Sequence, residues 1–233
     1  MCKFFSFITE PDEHGGKRFY CDWQYRKAHL QDENDSHSII CRINGLAEDR
    51  CNKYEYNPLM KVFAVDQINA SVDDRIQVEA WVNALDFKRV VEPLIIKPIV
   101  NPLKLPAVET VTNEQVRWLR YWASVRASVW DSVWSSVWSS VWSSVGDSVG
   151  DSVRASVWDS VGASVRDSVW DSVWSSIRAY ISSFFDIQYD HDFSPAIKLW
   201  EAGLVPSFDG TTWRLHTGVD AHVVYEYAPE RKG

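Results

Sequence analysis

Four groups of residues in this chain have types or spacings that could do chemistry. Cys2 becomes an N-terminal nucleophile if the initiator Met is removed, with its own amine as base. Asp35-Ser36-His37 brings acid, hydroxyl and imidazole together, but a triad is assembled in space, and three consecutive side chains diverge. A helix cap followed by a surface histidine is the expected reading. Asp190-His191-Asp192 has metal-ligand types; adjacent residues converge poorly, so solvated loop charge is expected and no metal or cofactor is assigned. Trp130, Trp134, Trp138, Trp142, Trp158, Trp170 and Trp174 recur at multiples of four residues and form the candidate binding surface. Cys2 and His37 are therefore catalytic candidates only in the second line.

The tryptophans belong to an uninterrupted array over 123–178: fourteen units of x-Ser-Val-x. Position two is always Ser, and position three is Val except for Ile177. Position four is Trp seven times, Arg four times and Gly three times. Codons for Trp, Arg and Gly can all be written NGG, which points to an expanded twelve-nucleotide DNA repeat. A site that takes such different side chains is not a close-packed one, since cores respond to single methylenes. Position four is therefore expected to face outward and Val inward.

Two architectures suit the array. On an α-helix four residues turn about 400°, so the Val stripe drifts about 40° per unit and circles the rod in about nine. Ser, Val and three glycines are also modest helix formers. A β-solenoid stacks Val on Val instead, and is the expected fold. One long helix of roughly 84 Å is the alternative.

The flanks read as α+β. Over 1–110, strands are expected at Cys2–Thr9 and Lys17–Asp22, with helices at Trp23–Gln31 and from Asp35 or Ser36 to Asn44-Gly45. A hairpin pairs Asn52–Asn57 with Lys61–Asn69, and a helix covers Ser71–Leu85. Pro93, Pro98, Pro102 and Pro106 allow only extended chain there, and 108–112 is read as linker. Thr112 caps a helix over Asn113–Trp122. Over 179–233, helix Pro195–Ala202 precedes strands at Leu204–Phe208, Thr211–His216 and Ala221–Tyr227.

Composition narrows the function classes. The chain has 233 residues, 45% hydrophobic and 24% charged, with net charge −8. Direct binding of nucleic acid, which needs clustered Lys and Arg, is disfavoured. No run approaches the length of a membrane span, and Glu10-Pro11-Asp12 cuts short the apolar start. Cys2, Cys21, Cys41 and Cys51 lack zinc-ligand spacing and read as reduced thiols of a cytoplasmic protein.

Segments such as CKFFSF from Cys2, DSHSII from Asp35, NKYEYNP from Asn52 and LWEAGLVPSFDGTTWRLH from Leu199 resemble uncharacterised bacterial and phage proteins carrying x-Ser-Val-x arrays. The period-four array is also similar in pattern to the pentapeptide-repeat proteins, whose period is five and whose central residue is Leu. The first resemblance implies a three-part design without an activity; the second implies a solenoid. The architecture points to a non-enzymatic interaction or scaffold protein that binds a protein partner or itself. The alternatives are an enzyme using Cys2, although Lys3-Phe4-Phe5 departs from the glycine that follows the cysteine in N-terminal-nucleophile amidotransferases, and an acidic nucleic-acid mimic or phage–host factor.

Overall fold

The computed structural model describes residues 5–11, 37–90, 94–126, 146, 149–156 and 170–229. The chain divides after Ile96 into two compact units.

In the first unit, β1 (Phe5–Thr9), β2 (Asn52–Asn57) and β3 (Val62–Gln67) form an antiparallel sheet in that order. Phe7 lies opposite Tyr54, and a bulge at Lys53/Tyr54 shifts the pairing with β3. The β2–β3 turn is built by Asn57, whose Oδ1 accepts from the backbone N–H of Leu59 and Met60, and by Lys61 at φ 53°. Helices α1 (His37–Ile43), α2 (Arg75–Asn83) and the single turn α3 (Phe87–Val90) complete the unit. Ile40 and Cys41 of α1, Val78 and Val82 of α2, and Phe87 are buried with Phe5, Phe7 and Tyr54. Rings join the elements: Phe5 meets Phe87 edge-on at 5.3 Å and Tyr56 stacks on it at 5.3 Å. The expected hairpin and the Ser71–Leu85 helix are present, the latter trimmed at both ends. The strand expected over Lys17–Asp22 and the helix over Trp23–Gln31 lie outside the described residues.

The second unit begins with a proline-rich segment that, among the described residues, pairs with no strand. Side chains meet both backbone groups of Val100: its N–H donates to Tyr180 Oη at 2.8 Å, and Trp200 Nε1 donates to its O at 2.9 Å. Val108 N–H, in the stretch read as linker, donates to Thr217 Oγ1. Helix α4 (Asn113–Val125) opens with a capping box, Thr112 Oγ1 accepting from Gln115 N–H while Gln115 Oε1 accepts from Thr112 N–H. Helices α5 (Trp170–Ser182) and α6 (Ser194–Glu201) pack together, with Tyr180 stacked on Trp200 at 5.4 Å. Strands β4 (Val205–Phe208), β5 (Trp213–Thr217) and β6 (His222–Tyr227) form a second antiparallel sheet in that order. Gly203, at φ 79°, ends α6 where a Cβ would lie 3.4 Å from both Leu105 Cβ and Pro102 O.

The β-solenoid is overturned. Every described part of the repeat is helical: the end of α4, residues 149–156 and the start of α5. The two sheets are separate and lie outside the array. The single long helix fails as well. A Cβ on Gly150 would sit 3.8 Å from Ile181 Cδ1, whereas 31 residues of straight helix would part them by roughly 46 Å. The chain folds back between them. Drift of the Val stripe excludes a long rod with one buried face, but over the two or three units of a short helix it amounts to only about 80–120°. Short helices therefore keep Val inward where a rod could not.

Candidate functional site

The array's invariant residues build its inner face. Val149, Val153, Val173 and Ile177 at position three are buried, as are Ser152, Ser172 and Ser176 at position two. Burying a hydroxyl is costly unless it is bonded. Ser176 Oγ donates back to Ser172 O at 3.2 Å, one helical turn earlier, and Ser172 Oγ accepts from Phe208 N–H of β4 at 2.8 Å. Serine is also small, which lets α5 lie against the strand.

Position four turns outward at most described units. Arg154 is exposed, Arg126, Gly150, Trp174 and Arg178 are half-buried, and Gly146 is the buried exception. Because the period is four, successive position-four side chains are i,i+4 neighbours on one helix. The Arg178 guanidinium lies 5.8 Å from the centre of the Trp174 ring. Arg126 sits over Phe208 and Trp213 at 5.4 and 5.6 Å, and those two rings stack at 4.9 Å. Among the described residues, the candidate surface thus pairs Arg178 with Trp174 within the array and Arg126 with Phe208 and Trp213 of the flank.

Of the predicted surface tryptophans, Trp174 is on this face. Trp170 starts α5, but its side chain lies outside the described residues, as do Trp130, Trp134, Trp138, Trp142 and Trp158 in full. Cys2, Asp35 and Ser36 also lie outside them. Asp192 Oδ1 accepts from Ser194 N–H and shapes the turn into α6, while Asp190 is exposed. Among the described residues no group of three side chains is placed to hold a metal.

His37 corrects the expectation of a surface histidine. It is 7% exposed, with Nε2 2.9 Å from Tyr54 O and Nδ1 3.3 Å from Asp66 Oδ2. The first turn of α1 faces the sheet, so the cap position does not place His37 in solvent.

Sequence reading missed two buried polar clusters. In the first unit Asn52 uses its whole amide: Nδ2 donates to Val72 O and Asp74 Oδ1, and Oδ1 accepts from Asn69 and Ala70 N–H. Tyr54 donates to the same Asp74 oxygen at 2.5 Å. Burial first, and the Asp74 carboxylate second, hold the Tyr54 phenol well above its ordinary pKa. The signal was Asn52 and Tyr54 alternating with Asp74 downstream, yet only folding shows that they converge.

In the second unit Ser207 Oγ and His216 Nε2 are 2.7 Å apart, and His216 Nδ1 donates to Ala221 O at 2.9 Å. That bond fixes the tautomer, so Nε2 accepts the serine hydroxyl. The pair has the hydrogen bonding of a nucleophile and its base, but Ser207 is fully buried and the orienting group is a carbonyl. It acts as a structural clamp between β4, β5 and the β5–β6 turn.

A cleft of about 330 Å³ in the first unit is bordered by Glu10, Asp49, Arg50, Asn69 and Ser71. Arg50 reaches Glu10 at 3.8 Å across it. No family model, curated protein or solved structure matches this chain.

Proposed function

We propose that this protein is a non-enzymatic interaction or scaffold protein whose repeat array displays position four as its binding face, to a protein partner or to a second copy of itself. One observation carries the reading: Val149, Val153, Val173, Ile177, Ser152, Ser172 and Ser176 are buried, although Ser124 is exposed and Val125 and Ser156 are half-buried, whereas position four is exposed at Arg154 and half-buried at Arg126, Trp174 and Arg178. The core can therefore stay constant while the displayed residue changes. Tryptophan and arginine are the side chains that contribute most at protein interfaces, through large apolar area and planar, multidentate hydrogen bonding.

The test replaces tryptophan by alanine, which removes the ring and favours a helix, at Trp130, Trp134, Trp158 and Trp174 together. Helicity and melting temperature should stay close to those of the parent chain. Self-association in sedimentation, or retention of a captured protein partner, should fall at least tenfold. Unchanged association with an intact fold would sink the proposal.

A further inference from the structure

We propose that Cys41 and Cys51 form a thiol–disulfide switch that staples α1 to the start of β2 when a small disulfide such as oxidised glutathione oxidises it. The switch lies in the first unit and does not depend on the repeat array.

The chain reversal between the two cysteines sets their placement. Gly45, at φ 65°, ends α1, and Leu46 N–H donates to Cys41 O at 2.9 Å. Residues 48–50 then make one 3₁₀ turn, which Cys51 N–H closes on Glu48 O at 3.3 Å. Ser38 Oγ donates to Glu48 Oε2 at 3.0 Å, so this turn lies alongside α1. Cys41 stands three residues beyond Ser38, and Cys51 three beyond Glu48. Positions i and i+3 share a face in both kinds of helix, so the same alignment brings the thiols together. They hydrogen-bond each other, in the sense that favours the thiolate at Cys41 and disfavours it at Cys51.

Both side chains are buried, Cys41 1% and Cys51 0% exposed. Burial raises both thiol pKa values, that of Cys51 to about 12, so the pair is inert while α1 is closed. Helix α1 has only seven residues, and local opening of so short an element is the entry route.

On opening, Cys41 gives its proton to solvent and its thiolate attacks one sulfur of oxidised glutathione, releasing one glutathione thiolate. The Cys51 thiolate then attacks the Cys41 sulfur of this mixed disulfide, and the second glutathione thiolate leaves. Two protein thiols and one glutathione disulfide thus become one protein disulfide and two glutathione thiols. The new bond ties α1, which places Ile40 in the core, to the entry of β2, the central strand of the sheet.

The test equilibrates the full chain in glutathione buffers from fully reduced to fully oxidised, followed by acid quench, alkylation and non-reducing tryptic mapping. Trypsin cuts after Arg42 and Arg50, so the two cysteines fall in separate peptides unless a disulfide joins them. The oxidised chain should yield the Cys41–Cys51 linked pair, and dithiothreitol should return both thiols. Amide exchange over 37–43 should slow at least tenfold on oxidation. Cys51→Ser should abolish that slowing and leave a glutathione adduct on Cys41. Thiols that stay free in oxidised buffer overturn the switch, as does pairing of either cysteine with Cys2 or Cys21 instead. Exchange over 37–43 that is equal in both redox states overturns the staple. If Cys51→Ser fails to fold, the map and the exchange of the parent chain decide alone.

Discussion

Gly150 and Ile181 are neighbours: a Cβ built on the glycine would meet Ile181 Cδ1 at 3.8 Å, an ordinary van der Waals contact. This relationship folds the array onto α5, and it makes position four unequal from unit to unit. Gly150→Ala should be tolerated and should stabilise by up to about 1 kcal/mol, because alanine is the better helix former. Gly150→Trp, though tryptophan occupies this position in half the units, should cost about 1–3 kcal/mol through overpacking. Urea midpoints of the two variants check this. Equal stability of both would show that the contact does not constrain the array.

The Ser207–His216 clamp has a pH signature. Burial pushes the His216 pKa below its ordinary value, with the nearby Arg214 charge adding to it. The folded state then binds fewer protons than the unfolded state, whose histidine titrates near pH 6.5. The contribution is complete above about pH 6.5 and is lost as pH falls through that value toward the lower folded one. Melting followed by circular dichroism should show a steeper loss between pH 7 and 5 for the parent chain than for His216→Gln. At pH 8, Ser207→Ala should cost about 1–3 kcal/mol, because it leaves a buried ring nitrogen without its donor.

Asn52 is expected to be the most sensitive polar position of the first unit. Its amide makes four hydrogen bonds that hold residues 69–74 against β2. Asn52→Ala leaves several of these groups unmet and should cost about 3 kcal/mol or more. Tyr54→Phe removes one donor from the buried Asp74 carboxylate and should cost about 1.5–3 kcal/mol. Because both bond the same oxygen, the double variant should lose less than the sum, which a double-mutant cycle in urea measures.

Tyr180→Phe tests how the proline-rich segment is held. It keeps the ring stack on Trp200 but removes the acceptor for Val100 N–H. A loss of about 1 kcal/mol is expected, with faster hydrogen exchange at Val100 as the local readout. Exchange unchanged at that amide would show that the segment is fixed by packing alone.

Much of the flanking structure was legible before folding. Alternating residue types marked β2, β3, β5 and β6, although β2 is buried along both faces from Asn52 to Tyr56. Thr112 announced the N-cap of α4, and Gly203 the end of α6, because backbone conformation and unpaired amides at helix ends are local matters. The inward role of Val and the outward role of position four also followed from the array's own pattern of constancy.

The array's fold did not. A four-residue period fits a β coil or an α-helix, and propensity favours the strand. Choosing the helix requires partners: Phe208 N–H for Ser172 and Ile181 for Gly150. Those partners are 36 and 31 residues away. The same distance hid His37's second partner, Asp66, and joined Ser207 to His216 across a hairpin. The sequence by itself determined which residues are repeated, which element ends are capped and which strands alternate. Tertiary structure alone decided the array's conformation and the meetings of its polar side chains, since burial and hydrogen-bond satisfaction depend on groups that only folding brings within reach.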